Sequence, residues 1–211
     1  MWWTLESKRS GTPVHTLQGG SEAEEIVGAT FGLLDSFDDL LADFQKAVDA
    51  GVPRVKLKAR PGWDVDMLRA VRGAFPDTVI HIDCNAGYTL DDLDTFRAID
   101  EFGLAFIEQP LSWNDVLDHA ELAREIETPI CLDESACELR MVEQALEIGA
   151  CHYVNIKPGR SGGLTRSVKI HDMCRDHGVP VWIGGMLESS VGAGLLVELA
   201  TLPNFTYPGD I

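Results

Sequence analysis

The sequence predicts a parallel (β/α) barrel, and three observations carry that prediction. Short apolar runs alternate with helical patterns along the chain, as expected of strands joined by helical crossovers. Charged residues close several of these runs at an even interval, for example at Asp83, Glu108 and Asp133 (108 − 83 = 25; 133 − 108 = 25). Eight runs are present, the number of strands in such a barrel. A doubly wound open sheet is the competing architecture, but no glycine-rich phosphate-binding motif follows the first run.

The predicted strands are short, often β-branched, and bounded by glycine, proline or aspartate. They are Ile26–Leu33, Arg54–Lys58, Val79–Asp83, Leu104–Glu108, Ile130–Asp133, His152–Lys157, Val181–Gly184 and, with the weakest pattern, Asn204–Tyr207. The first helix between strands has Ser36 as its N-cap, an apolar stripe that starts at Phe37, and Gly51 as its end. Further helices are predicted near Asp64–Ala74, Leu90–Asp100, Trp113–Ile126, Glu138–Ile148, Leu164–His177 and Ser190–Ala200.

Composition limits the classes of partner. The chain has 211 residues, enough for one sizeable domain, and its 45% hydrophobic and 24% charged content is typical of a globular protein. A net charge of −17 disfavours nucleic acid and anionic membranes as partners. No apolar run approaches the ~20 residues of a membrane span, and no signal peptide is recognisable. Five cysteines without C-x-x-C spacing predict reduced thiols in a cytoplasmic protein. We also expect a homo-oligomer.

The three regularly spaced acids predict a metal site. Asp83, Glu108 and Asp133 end neighbouring strands, and active-site residues of such barrels lie at the carboxyl ends of the strands. Three carboxylates at one point offer hard oxygen ligands, which suit Mg²⁺ or Mn²⁺ better than Zn²⁺. The alternative is that each acid only caps the helix that follows, but this explains three acids in register poorly.

Lysines flank the predicted metal site. Lys58 ends the second strand and Lys157 the sixth, so in an eight-stranded barrel they lie on opposite sides. This arrangement suits removal of a proton from the carbon next to a carboxylate, with the metal stabilising the ene-diolate that forms. Lys56, two residues before Lys58 on the same strand face, is expected to lower the pKa of its neighbour. A solvated strand end is the simpler interpretation of the lysine pair alone.

Other residues are weaker candidates for outer contacts of the metal or for the substrate. Asn85 is a candidate hydrogen-bond partner of the metal site, with an ordinary turn residue as the alternative. The segment 159–163, with Arg160, and the segment 184–190, with Gly185, Met186 and Ser189, each precede a helix and are candidate anion sites. A plain loop is the alternative for both, and packing is the favoured role of Met186.

Together these segments resemble the enolase superfamily, in which a lysine base and Mg²⁺ act on an ene-diolate. The resemblance runs from about residue 3 to residue 210, and it is carried by VKLKARPGWD, HIDCNAGY, FIEQPL, CLDES, NIKPGRSGGL and WIGGMLESSVG. These resemble o-succinylbenzoate synthases, and Arg160 resembles the branch that also racemises N-acylamino acids. The resemblance implies Mg²⁺ on Asp83, Glu108 and Asp133, with Lys58 and Lys157 as the acid and base.

The implied reactions are a lyase and an isomerase reaction on a small carboxylate substrate. They are dehydration of 2-succinyl-6-hydroxy-2,4-cyclohexadiene-1-carboxylate in menaquinone biosynthesis and racemisation of N-acylamino acids. Dipeptide epimerases and muconate-type cycloisomerases are the enzymatic alternatives, and epimerases of the superfamily usually carry Asp-x-Asp after the last strand, of which only Asp210 is present here. An inactive partial barrel is the non-enzymatic alternative.

The resemblance also predicts the domain organisation. Members of the superfamily carry an N-terminal α+β domain that closes over the substrate. We expect residues 1–20 to be the last helix of such a domain, with Gly19 and Gly20 ending it, and residues 21–211 to form the barrel. Most of the first domain and the end of the barrel are therefore expected to be missing from this chain.

Overall fold

A curved parallel sheet organises the chain in the computed structural model, which describes residues 1–21, 26–34 and 36–211. The seven strands of these residues pair in sequence order, and every pair is parallel. A doubly wound sheet would reverse its strand order at a switch point, so the barrel prediction is confirmed. The strands are β1 (Ala29–Phe31), β2 (Val55–Lys58), β3 (Ile80–Asp83), β4 (Ile107–Glu108), β5 (Ile130–Leu132), β6 (Tyr153–Ile156) and β7 (Val181–Ile183).

Helices connect successive strands, as the sequence pattern predicts. Among them, α3 begins after Ser36, whose hydroxyl accepts a hydrogen bond from the backbone N–H of Asp39. The helices are α1 (Trp2–Ser10), α2 (Val14–Gln18), α3 (Phe37–Asp49), α4 (Asp64–Ala74), α5 (Leu93–Asp100), α6 (Val116–Glu125), α7 (Leu139–Ile148), α8 (Pro158–Ser161), α9 (Leu164–Asp176) and α10 (Ser190–Ala200), with a 3₁₀ turn at Leu90–Asp92. None of the helices in the described ranges is long and apolar enough to cross a bilayer.

An irregular segment takes the eighth position of the barrel, where we predicted the strand Asn204–Tyr207. An isolated β-bridge joins Phe205 to β7, and a second joins Asp210 to the residue that follows β7. A third joins Gly209 to a residue before β1. Pro208 has no N–H to give to a ladder, which explains why the pairing stays discontinuous. The prediction of a regular strand is therefore wrong, although the segment does lie between the first and last strands.

The N-terminal residues form two helices where we predicted one. The break falls at Gly11, which has φ +72°, and at Pro13, whose ring cannot continue a helix. The second helix docks on α10: the backbone N–H of His15 donates to Glu198 Oε2 at 2.6 Å, and its Nδ1 lies 2.8 Å from the same oxygen. The assignment of residues 1–20 to a separate domain remains a prediction.

The two faces of the sheet have different cores. Side chains that point outward, such as Ile80 and Ile82, pack with the helices in one large apolar cluster. Phe106, Cys131 and Trp182 point inward and are completely buried against Tyr153 and Tyr207. This aromatic cluster lies beneath the charged residues at the strand ends.

Candidate active site

The parallel register brings the three predicted carboxylates to one end of the barrel. Lys58 pairs with Asp83 across β2 and β3, and Asp83 pairs with Glu108 across β3 and β4. Asp133 directly follows β5, the next strand along the sheet. All three carboxylates are buried, with 0–1% of each residue exposed. Three negative charges this deep require cations close by.

Lys56 is the buried cation of the site. Its Nζ lies 2.9 Å from Asp83 Oδ2, 2.9 Å from Glu108 Oε2 and 3.6 Å from Asp210 Oδ2. Burial disfavours its charge, but the carboxylates of Glu108, Asp83 and Asp210 outweigh that effect and raise the pKa of Lys56. Its predicted effect on the pKa of Lys58 remains a prediction, and its contacts add a second role among the carboxylates.

Lys58 contacts the first acid of the row. Its Nζ donates to Asp83 Oδ2 at 2.7 Å and to Asn85 Oδ1 at 2.6 Å. Burial opposes ionisation of Asp83, but Lys56 and Lys58 outweigh it and lower the pKa of Asp83 to about 2. Asn85, at φ +45°, also donates from Nδ2 to Glu134 Oε1 at 3.1 Å. Asn85 therefore connects Lys58, the candidate base, to the carboxylate of Glu134.

Lys157 contacts the last acid of the row. Its Nζ donates to Asp133 Oδ2 at 2.9 Å, and Arg160 Nη1 donates to Asp133 Oδ1. Arg160 lies on the short helix α8, which begins directly after Lys157, the residue that follows β6. The two candidate lysines thus contact the two outer carboxylates, with Glu108 on the strand between them. Their placement on opposite sides of a substrate remains a prediction.

The remaining predicted residues lie in the loop after β7. The Gly185 N–H donates to the Asp210 carbonyl at 2.6 Å, which holds the end of the chain against this loop. Ser189 is the N-cap of α10, where its hydroxyl accepts from the Gly192 N–H at 3.3 Å. Met186 is 52% exposed, and its sulfur lies 3.9 Å from Arg160 Nη2. Anion binding by this loop or by residues 159–163 remains a prediction.

Two buried amides belong to the site and were missed by sequence reasoning. Asn155 Nδ2 donates to Glu108 Oε1 at 2.8 Å. Gln109, held at φ +39°, accepts the backbone N–H of Asp133 at 2.9 Å and so fixes the start of that loop. The period of two along a strand places Asn155 on the same face as Lys157, and this signal was sufficient to find it. Nothing in the local pattern marks the conformation of Gln109.

The donor set fits a hard divalent cation. In the part of the chain that the structure describes, Glu108 Oε2 and Glu134 Oε2 are buried and accept no hydrogen bond. The contact of Lys56 with Glu108 Oε2 has an ion-pair distance but not the angles of a hydrogen bond. Burial and the charge of neighbouring carboxylates raise the pKa of both Glu108 and Asp133, despite the cations that contact them. Oxygen ligands in this state suit Mg²⁺.

The side chains of Asp83, Glu108 and Asp133 do not converge on a common point. Among the described residues, no three His, Cys, Asp or Glu side chains stand in an arrangement that could hold a metal ion. Asp83 is turned towards Lys56 and Lys58, and Asp133 towards Lys157 and Arg160. Lysine and arginine thus hold the oxygens that a cation would need.

Comparison with known proteins gives the family. Residues 39–211 match the family described as "Enolase C-terminal domain-like". The chain belongs to this family. This enolase-type barrel is 48% identical over 208 residues to the o-succinylbenzoate synthase of Geobacillus kaustophilus, covering 99% of the chain and 56% of that protein. It is 50% identical over 184 residues to the N-succinylamino acid racemase of an Amycolatopsis species, covering 87% of the chain and 50% of that protein.

Solved structures agree with this assignment. A structure described as an unknown member of the enolase superfamily from Enterococcus faecalis V583 has a TM-score of 0.94 and 41% identity, covering 99% of this barrel and 57% of that protein. The D-Ala-D/L-Ala epimerase of Cytophaga hutchinsonii is more distant, at 26% identity over 195 residues, covering 90% of the chain and 53% of that protein. The enolase-type barrel spans about half the length of the curated relatives it matches.

Proposed function

We propose that this barrel catalyses removal of the proton α to a carboxylate, in the manner of o-succinylbenzoate synthases and N-succinylamino acid racemases. One observation carries the proposal: two lysines contact the two outer members of a buried row of three carboxylates. The relatives with 48% and 50% identity support these two activities over dipeptide epimerisation, whose relative is 26% identical. The activities of those longer proteins come to this chain only as part of the proposal.

Mg²⁺ is the proposed cofactor, held by Asp83, Glu108 and Asp133. When bound, it supplies positive charge that stabilises the ene-diolate formed from the substrate carboxylate. Lys56 remains beneath as the fixed cation that contacts both Asp83 and Glu108. Asn155 holds one oxygen of Glu108, which leaves the other free of hydrogen bonds among the described residues.

The lysines move the protons. In racemisation, Lys58 Nζ takes the α-proton from one face of the substrate, and Lys157 Nζ gives a proton to the opposite face; the reverse direction exchanges their roles. In dehydration, Lys58 takes the α-proton, and the Lys157 ammonium stabilises the enolate. The C–O bond to the hydroxyl group then breaks, and the Lys58 ammonium gives its proton to the departing oxygen, so that water leaves. A general base or acid of this kind contributes about 10²–10⁴-fold to the rate.

Deuterium exchange tests the two-lysine assignment. The wild-type chain with Mg²⁺ in D₂O is expected to exchange the α-proton of an N-succinyl amino acid, followed by ¹H NMR. Lys58→Ala and Lys157→Ala should each lose exchange by about 10² or more. Lys46→Ala is the matched control, because Lys46 is an exposed lysine that pairs with Asp43 on α3. Normal exchange in either active-site variant would overturn the assignment.

A second measurement separates an inactive partial barrel from an enzyme. Ligands that bind only the folded state raise the melting temperature by mass action. We expect Mg²⁺ to raise the melting temperature of the wild-type chain and to raise that of Asp83→Asn much less. If Mg²⁺ leaves the wild-type melting temperature unchanged, and neither N-succinyl amino acids nor the cyclohexadiene substrate turns over, the chain alone is not this enzyme.

A further inference from the structure

Two buried polar atoms face each other beneath the row of carboxylates. His81 Nε2 lies 3.6 Å from Glu108 Oε2, and neither atom has a hydrogen-bond partner among the residues that the structure describes. Both residues are completely buried. Unpaired buried polar atoms are uncommon because water cannot replace the missing partner. At 3.6 Å no hydrogen bond is formed, and Glu108 Oε2 has only the ion-pair contact with Lys56 Nζ at 2.9 Å, so a small movement of the two side chains would pair them.

The surroundings of His81 fix its ring. The imidazole packs 4.4 Å from the Phe106 ring and 5.3 Å from the Trp182 ring, measured between centroids. On its other side, Nδ1 lies 2.9 Å from the Tyr207 hydroxyl. His81 is completely buried, and among the described residues no carboxylate oxygen lies within hydrogen-bond distance of its ring, so burial favours the uncharged imidazole. Its two nitrogens therefore consist of one donor and one acceptor.

The two neighbours of the ring decide which nitrogen carries the proton. A carboxylate oxygen can only accept, whereas a tyrosine hydroxyl can donate or accept. With the proton on Nε2, Tyr207 donates to Nδ1 and His81 donates towards Glu108. With the proton on Nδ1, the Nε2 lone pair would point at the lone pairs of Glu108 Oε2, and both atoms would stay unpaired. Burial raises the pKa of Tyr207, which keeps its hydroxyl proton available to donate.

We propose that His81 is a positioning residue that, as the Nε2–H tautomer, donates to Glu108 and orients that carboxylate from below. Asn155 already holds Oε1 at 2.8 Å, so the two donors together fix both oxygens of the central acid. Tyr207, the hydrogen-bond partner of His81 Nδ1, belongs to the segment that closes the barrel. The role of Glu108 as a metal ligand rests on the proposed function, whereas the hydrogen bond itself does not.

The direct test is the tautomer of His81, read from the ¹⁵N shifts and long-range ¹⁵N–¹H couplings of the histidine-labelled full chain. His81→Phe assigns the signals. The expected result is a neutral ring protonated at Nε2, and Tyr207→Phe should increase the share of the Nδ1–H form. A wild-type ring protonated at Nδ1 would overturn the proposal, with or without metal.

Paired substitutions test the effect on the site. His81→Gln keeps an amide donor near the position of Nε2, whereas His81→Asn keeps one only near Nδ1. Calorimetric titration with Mg²⁺ should show binding about 10–100-fold weaker in His81→Asn and closer to wild type in His81→Gln, as for other residues that orient metal ligands. Equal Mg²⁺ affinity in wild type and His81→Asn would overturn the positioning role.

A purely structural effect is distinguished by the melting temperature without metal. Both variants replace the ring by an amide and should lower that temperature to a similar extent, so only the Mg²⁺ affinity separates them. If the substituted chains do not fold, Tyr207→Phe, which keeps the aromatic packing, takes their place in the titration and must bind Mg²⁺ more weakly. If the wild-type chain binds no Mg²⁺, the proposed cofactor fails, and the tautomer still decides whether the hydrogen bond exists.

Discussion

Replacement of Lys56 by methionine tests whether the buried carboxylates are ionised and held by this one cation. Methionine keeps most of the length of the side chain, which is 2% exposed, and removes its ammonium. At an effective dielectric constant of about 20, two unit charges at the observed 2.9 Å attract by roughly 6 kcal/mol, and Lys56 makes two such contacts. Desolvation of the lysine offsets much of this attraction.

The expected loss of stability follows from the carboxylates that remain buried when the ammonium is removed. Removing one partner of a buried ion pair costs about 3–5 kcal/mol, because the other charge is left buried without compensation. In a chain of this size, each kcal/mol lowers the melting temperature by about 2–4 °C, so Lys56→Met should melt roughly 6–20 °C below wild type. Lys46→Met is the control, because its ion pair is exposed and worth at most about 1 kcal/mol.

Urea denaturation at pH 7 in the presence of EDTA, followed by circular dichroism, gives both free energies of unfolding. If Lys56→Met is no less stable than Lys46→Met, Asp83 and Glu108 are not a buried ionised pair that depends on this lysine. The change that Mg²⁺ causes in the free energy of unfolding should then be compared between the two variants. A cation on the carboxylates replaces part of the missing charge, so Mg²⁺ should stabilise Lys56→Met at least as much as the control.

Two further predictions concern the hydrogen bonds of Asp100 and the packing at Gly184. Asp100 accepts the backbone N–H of Glu127 at 2.9 Å and the N–H and hydroxyl of Thr128 at 2.6 and 2.5 Å, and these bonds outweigh burial and lower its pKa. Asp100→Asn should therefore lower the free energy of unfolding at pH 7 by about 1–3 kcal/mol in urea denaturation, a difference that disappears as pH falls through the lowered pKa. An equal loss at low pH would contradict this reasoning. A Cβ at Gly184 would lie 2.3 Å from Asn155 Oδ1, so Gly184→Ala should lower turnover about 10–100-fold. The exposed Gly194, where an added methyl group would meet no atom within 4 Å, is the control and should keep full turnover as alanine.

The alternation of strands and helices was readable because its causes are local. Ser36 caps α3 through its own hydroxyl, and Gly51, at φ +73°, follows the end of that helix; both are properties of single residues. The placement of Asp83, Glu108 and Asp133 was equally predictable, because parallel register brings equivalent strand positions to one end. The even interval in the sequence thus places the three acids on neighbouring strands at one end of the barrel.

The missed features depend on tertiary contacts. The sequence does not show that Lys56 lies between three carboxylates, because one of them, Asp210, reaches it from the far end of the chain. The eighth position looked like a strand, but its backbone is held by a side chain: Arg54 donates to the carbonyls of Pro208 and Gly209 and to that of Ala29 on β1. No local pattern encodes such a contact.

Closure of the barrel and assembly of the site use the same residues. Arg54 fixes the segment that carries Tyr207 and Asp210, one of which contacts His81 and the other Lys56. If this segment leaves its position, His81 loses its partner at Nδ1 and Lys56 loses its third carboxylate. A change that weakens closure should therefore weaken the site before the rest of the sheet unfolds, because β2 to β6 keep all their ladder partners without it.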